Sequence, residues 1–118
     1  MKLIVAETES VALRRYLDTS KAALVMSAAL LETELRRMAS RQGLDQGMVS
    51  DGLAQIALIY PERSDFFDAG VLPVPGLRSL DYLHLVTAMR AEAELMVAYD
   101  ARLLSACHTV GLRTVSPA

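Results

Sequence analysis

Residues 77–103 read LRSLDYLHLVTAMRAEAELMVAYDARL, and this stretch contains the alternation of elements that decides the fold. Its first part, from residue 78 or 79 to about residue 93, is rich in Leu, Ala and Met and predicts a helix. The apolar run 95–98 is short, which is typical of a buried strand. Asp100 then predicts the start of a further helix, because Asp is a favoured N-cap residue.

The same alternation continues on both sides of this stretch. Helices are predicted at 8–17, 28–41, 45–53, 62–70, 78–93 and 100–110, and short strands at 21–26, 56–60, 95–98 and 112–116. Ser27 and Asp45 are suited to cap the second and third of these helices. Strands that alternate with helices favour an α/β domain with a mostly parallel sheet flanked by helices. With 118 residues, we expect a single domain over 1–118.

Composition narrows the class of protein. Hydrophobic residues make up 53% of the chain and Trp is absent, so we expect an aliphatic core. The net charge of −2 excludes a protein that coats nucleic acid through a general basic field. A nuclease remains compatible with this charge, because bound metal ions can neutralise phosphate locally.

Cysteine content and hydropathy indicate the compartment. The single cysteine, Cys107, cannot form an internal disulfide and is expected to pack in the core. The opening run 1–6 is too short for a signal peptide. No apolar run reaches the roughly 20 residues that span a bilayer. We therefore expect a cytoplasmic protein with no membrane partner.

Three acids stand at places where an α/β fold exposes functional groups. Asp81 lies in the first turn of a predicted helix, Asp100 follows a predicted strand, and Glu34 borders the apolar face of the helix 28–41. Functional groups in such folds gather at the carboxyl ends of the strands. Each acid also has a structural explanation: the helix dipole for Asp81, capping for Asp100, and an arginine partner for Glu34.

Taken together, these carboxylates suit a divalent metal. Mg²⁺ and Mn²⁺ prefer oxygen ligands and keep several waters. A metal bound in this way can activate water for attack on a phosphodiester. His84 has no second His or Cys at ligand spacing, so we interpret it as a packed or hydrogen-bonded histidine.

The segments 30–37, 77–88 and 98–103, with the ending 111–115, resemble those of PIN-domain toxins of the VapC type. The resemblance implies a three-layer α/β fold and cleavage of RNA with Mg²⁺ or Mn²⁺. It also implies that Glu34, Asp81 and Asp100 are metal-binding, catalytic acids. The partners it implies are a VapB-like antitoxin, an RNA substrate such as tRNA, and a second copy of the toxin in a homodimer.

The resemblance departs at the N-terminus. The family opens with a short apolar strand that ends in an Asp-Thr-Ser-like motif, and this Asp is its first metal ligand. Residues 2–7 are similar to the segment that follows the motif, so we expect the first strand and its Asp to be missing. Residues 16–20 contain the letters of the motif, but Asp18 is only sixteen residues before Glu34. That spacing leaves no room for the family's first helix and second strand.

Three explanations compete for this departure. The true start of the protein lies upstream, which we favour because loss of a central strand would leave backbone groups without partners. Alternatively, the chain is a truncated, weakly active or inactive relative that only binds an antitoxin or RNA. In the third explanation residues 1–5 themselves form the strand, and Glu7 or Glu9 replaces the missing acid.

Overall fold

The computed structural model describes residues 2–6 and 24–117. Its strands are β1 (Lys2–Val5), β2 (Leu24–Ala28), β3 (Ala57–Ile59), β4 (Leu95–Val97) and β5 (Arg113–Val115). The helices of these residues are α1 (Leu30–Gln42), α2 (Gln46–Leu53), α3 (Arg63–Val71), α4 (Ser79–Arg90) and α5 (Ala101–Thr109). The strands form one sheet in the order β3-β2-β1-β4-β5, and every pairing is parallel. The predicted α/β fold with a parallel sheet flanked by helices is confirmed.

The centre of the sheet is occupied by β1, so the expectation that the sheet lacks its first strand is wrong. β1 pairs with β2 on one side and with β4 on the other. Leu3, Ile4 and Val5 are all fully buried, because both faces of a central parallel strand are covered. Only the explanation that residues 1–5 form the strand anticipated this arrangement. The acids proposed as its first ligand, Glu7, Glu9 and Asp18, lie outside the described residues.

The two faces of the sheet carry separate apolar clusters. Ile4 and Met96 pack on one face with residues from α4 and α5, including Leu85 and Cys107. The opposite face carries Leu3, Val5, Leu95 and Val97. This division follows from the alternation of side chains along a strand. The expectation for Cys107 is confirmed: it is fully buried, its Sγ lies 3.2 Å from the Sδ of Met96, and burial raises the pKa of its thiol to about 11.

The helix starts test the predicted caps. Asp45 accepts a hydrogen bond from the N–H of Gly47 and caps α2 as predicted. Ser27 does not cap α1: it lies within β2, is fully buried, and donates its hydroxyl hydrogen bond to the carbonyl oxygen of Val5. The strand continues through Ala28, so α1 begins at Leu30 with Ala29 in the cap position and no side-chain cap.

A buried ion pair that the sequence did not reveal joins α3 to α4. Asp65 on α3 is 1% exposed, and its carboxylate accepts two short hydrogen bonds from Arg90, at 2.9 Å from Nε and 2.8 Å from Nη2. The N–H of Glu62 donates to the same carboxylate at 2.9 Å as part of a capping box. Burial opposes ionisation of Asp65, but these hydrogen bonds and the charge of Arg90 outweigh it and lower the pKa of Asp65.

Within residues 2–6 and 24–117, none of the helices combines the length and the apolar character needed to cross a bilayer.

Candidate metal centre

Asp81 lies in the first turn of α4, one turn before the buried part of that helix. The helix begins after Arg78, and its residues 83–88 are all buried. Asp81 itself is half-buried. A carboxylate in the first turn is stabilised by the helix dipole. The predicted placement of Asp81 at a helix start is therefore confirmed.

Glu34 reaches α4 from α1. Its Oε1 lies 3.2 Å from Nε2 of His84, and its side chain is 38% exposed. His84 is three residues after Asp81, and residues three apart share one face of a helix. The structure therefore brings Glu34 to the face of α4 that carries Asp81. His84 itself is 1% exposed and hydrogen-bonded, as the sequence indicated.

The side chain that meets Glu34 is a histidine and not the predicted arginine. Arg36 on the same helix is bonded to Glu32 instead, at 2.8 Å between Nε and Oε2. It also donates to Gln46 and to Ser50 of α2. Arg36 therefore stabilises the contact between α1 and α2. Among the described side chains, His84 of α4 is the one that contacts Glu34.

Asp100 lies just beyond the carboxyl end of β4 and caps α5. Its Oδ1 accepts hydrogen bonds from the N–H groups of Arg102 at 2.8 Å and Leu103 at 3.2 Å. The Leu103 and Arg102 N–H groups lower the pKa of Asp100, and the charges of Arg102 and Arg78 lower it further. Both the capping prediction and the predicted position after a strand are confirmed.

The three acids do not form a closed ligand set. In the part of the chain that the structure describes, no three His, Cys, Asp or Glu side chains lie together in a way that could hold a metal. Glu34 of α1 contacts α4 at His84, one helical turn after Asp81, while Asp100 lies beyond the carboxyl end of β4. This donor chemistry still fits Mg²⁺, because Mg²⁺ in nucleotide sites often takes only one or two protein carboxylates and completes its shell with waters and phosphate.

Basic residues flank the acids, and sequence reasoning did not assign them a role. Arg102 Nε lies 3.8 Å from Oδ1 of Asp100. The same arginine helps to line a groove of about 350 Å³ between α5 and the loop at Pro75 and Gly76. Arg78 and Arg102 both lie within the family-like segments, so their sequence context was a usable signal. Which acid they approach depends on the packing of α4 beside α5.

Known proteins resemble this chain over nearly its whole length. It is 35% identical to ribonuclease VapC46 of Mycobacterium tuberculosis strain H37Rv over 120 residues, which cover 99% of this chain and 91% of that protein. It is 36% identical to ribonuclease VapC35 of the same strain over 123 residues, covering 99% and 90%. The chain belongs to the VapC family of PIN-domain toxins. Ribonuclease VapC47 of strain CDC 1551 is a further VapC relative, 34% identical over 126 residues.

The VapC relationship agrees with the α/β fold of the chain. No model of a known protein family matches the chain, so the assignment to VapC stands on these relatives. The matched region spans about nine tenths of each relative. The resemblance inferred from residues 30–37, 77–88 and 98–103 is thereby confirmed at the level of the family.

Proposed function

We propose that this VapC-family chain is the toxin of a type II toxin–antitoxin system and cleaves RNA phosphodiester bonds with Mg²⁺ or Mn²⁺. The observation that carries the proposal is the contact of Glu34 with His84, one helical turn after Asp81 on α4. The chain is also about one third identical to proteins named ribonucleases. Glu34 and Asp81 would hold the metal, and Asp100 would complete the site from the end of β4. The metal, when bound, supplies Lewis-acid activation of water and phosphate.

The protein's own residues supply binding and charge balance. The carboxylate of Asp100 stays ionised well below neutral pH because its pKa is lowered. Arg102 lies beside it, and both Arg102 and Arg78 can contact phosphate oxygens of RNA, since guanidinium groups match phosphate geometry. This local basic pair compensates for a chain whose net charge is −2. Binding of RNA is then confined to the acid-bearing end of the sheet.

The decisive test is RNA cleavage in Mg²⁺ or Mn²⁺ by the unaltered chain, Asp81→Asn and Asp68→Asn. We expect Asp81→Asn to lower kcat about a hundredfold or more, the scale seen when one preorganised electrostatic group is removed. Asp68 is an exposed acid on α3, so Asp68→Asn is the matched control and should keep full activity. EDTA should abolish cleavage by both active forms. Equal cleavage by Asp81→Asn and the unaltered chain contradicts the assignment.

A second candidate function is binding without catalysis. It is favoured by one observation: the position directly after the central strand is Ala6, a buried apolar residue, where the family motif has an acid. A protein of this kind would capture an antitoxin or RNA and leave the RNA intact. Titration with Mn²⁺ separates the two candidates, because an intact site binds the metal and an eroded site does not.

We also propose a VapB-like antitoxin, an RNA such as tRNA and a second copy of the toxin as partners in the cytoplasm. Phe66, Phe67 and Val71 of α3 are 54%, 69% and 60% exposed, which supports a protein partner, since large exposed apolar groups mark interaction surfaces. Light scattering of the purified chain, alone and with a co-expressed antitoxin, measures both assemblies. Phe67→Ser should weaken either the homodimer or the complex with the antitoxin. Unchanged molar masses of both assemblies for this variant would contradict a partner at α3.

A further inference from the structure

His84 is a buried polar residue whose two ring nitrogens have different surroundings. Nε2 lies 3.2 Å from Oε1 of Glu34. Nδ1 is buried and has no hydrogen-bond partner among the described residues. The residue is 1% exposed and lies in the buried part of α4, residues 83–88. A buried nitrogen without a partner carries a free-energy cost, so packing alone does not account for an imidazole here.

The contact with Glu34 determines which nitrogen carries the proton. A carboxylate only accepts hydrogen bonds, so Nε2 must donate. In the neutral ring Nδ1 then holds a lone pair. The backbone of α4 fixes the position of the ring, and its burial leaves it little freedom to turn. His84 is therefore a rigid donor aimed at one carboxylate.

Glu34 is the partner that needs such a donor. Its side chain is 38% exposed and has three rotatable bonds, so without a fixed contact it would sample solvent-facing rotamers. The hydrogen bond from His84 holds it on the face of α4 that also carries Asp81. A ligand carboxylate oriented by a neighbouring donor is held in its binding geometry before the metal arrives.

We propose that His84 is a positioning residue that holds the carboxylate of Glu34 beside Asp81 for divalent-metal binding. The inference rests on the proposed function of this site. His84 itself does not bind the metal, since its Nε2 proton is directed at Glu34. Its effect on RNA cleavage is exerted through Glu34.

The test compares His84→Leu and His84→Gln with Thr87→Val. Thr87 is one turn further along α4, 1% exposed, and its Oγ1 also has no partner among the described side chains, so Thr87→Val is a matched control. We expect His84→Leu to weaken Mn²⁺ binding and lower kcat about ten- to a hundredfold, as loss of a ligand-orienting partner does. KM for RNA should change little. His84→Gln, which restores an N–H donor, should recover part of the loss, and Thr87→Val should equal the unaltered chain.

The readouts are the Mn²⁺ dissociation constant by calorimetry, kcat and KM for RNA, and the thermal midpoint of each variant. The ¹⁵N shifts of His84 in the unaltered chain provide a measurement that needs no substitution. A proton on Nε2, with a shift change on adding Mg²⁺ without RNA, supports the proposal; a ring that carries its proton on Nδ1 alone overturns it, since Nε2 then cannot donate to Glu34. Unchanged Mn²⁺ affinity in a folded His84→Leu protein also overturns it.

Failure of the nuclease proposal gives a different pattern. If the unaltered chain binds Mn²⁺ but leaves RNA intact, catalysis is refuted, while the His84 variants still decide positioning through metal affinity. If the unaltered chain neither binds Mn²⁺ nor cleaves RNA, both proposals are wrong. If all variants bind and cleave equally, only the role of His84 is refuted.

Discussion

Two acids of this chain are ionised by different means. Asp65 is buried and depends on Arg90, whereas Asp100 is held by the backbone N–H groups that open α5. The first arrangement stabilises the contact between α3 and α4, since the charges of Asp65 and Arg90 neutralise each other. The second leaves a carboxylate at the carboxyl end of a strand, where it can act on a ligand. Burial and partner together therefore separate structural acids from candidate functional ones.

Asp65→Asn should destabilise the fold. It leaves Arg90 without its counter-charge, and we expect a loss of about 2–4 kcal/mol, below the upper limit for a buried pair because Arg90 is one third exposed. Urea unfolding measures the change. Asp68→Asn, on the exposed side of the same helix, should stay within about 0.5 kcal/mol. Equal midpoints for the two variants would show that the ion pair contributes nothing.

The same carboxylate predicts a pH dependence. The pKa of Asp65 is lowered below its ordinary value, so its stabilising contribution is present above that ordinary value and is lost as pH falls through the folded pKa. The difference in unfolding free energy between the unaltered chain and Asp65→Asn should be constant from pH 7 to 5. It should narrow below about pH 4. A gap that widened with acid would have the wrong sign for this pair.

The acids at the starts of α4 and α5 can have both a structural and a chemical role. The start of α5 is capped by Asp100, and the start of α4 carries Asp81. A helix start favours a carboxylate for its own stability through capping and the dipole, whether or not the carboxylate also binds a metal. Structural and chemical roles at these positions therefore have to be separated by substitution.

Asp100→Ser and Asp100→Ala separate these roles at α5. Serine keeps a capping oxygen but removes the carboxylate, so Asp100→Ser should unfold near the temperature of the unaltered chain and lose RNA cleavage. Alanine removes both, so Asp100→Ala should lose cleavage and also unfold at a lower temperature. Thermal scans and the cleavage assay measure the two effects. Full cleavage by Asp100→Ser would restrict Asp100 to capping.

The central position of β1 determines how the two halves of the sheet are joined. The strand lies between β2 and β4, the strands that precede α1 and α5, so it joins the half of the sheet that leads to Glu34 to the half that leads to Asp100. Its buried residues contribute to the apolar clusters on both faces. The relative placement of the acids thus depends on a strand of four residues.

Ile4→Ala should therefore be costly. Ile4 is fully buried between β2 and β4, and truncation of such a side chain costs about 2–5 kcal/mol because it leaves a cavity. Leu24→Ala on β2 is the control: Leu24 is 51% exposed, and its truncation should cost less than about 1 kcal/mol. Equilibrium unfolding gives both values. A small effect at Ile4 would contradict a central position for β1.

The sequence by itself determined the properties that depend on neighbours along the chain. The alternation of helices and strands, the caps at Asp45 and Asp100, the aliphatic core and the family-like segments were all predicted, because propensity, capping and hydrophobic pattern act over a few residues. The start of α1 was placed too early, since Ser27 has the composition of a cap but the burial of a strand residue. Local chemistry alone could not distinguish these two environments.

Only the tertiary structure decided which distant residues meet. The central position of β1, the Glu34–His84 contact and the Asp65–Arg90 pair join residues 25 or more positions apart or depend on the order of strands in the sheet. Such contacts are selected by the packing of whole elements, and many pairings of the same charges are compatible with the sequence. The sequence therefore identified Glu34, Asp81 and Asp100 as candidate functional acids, whereas the residues that contact them were known only from the folded structure.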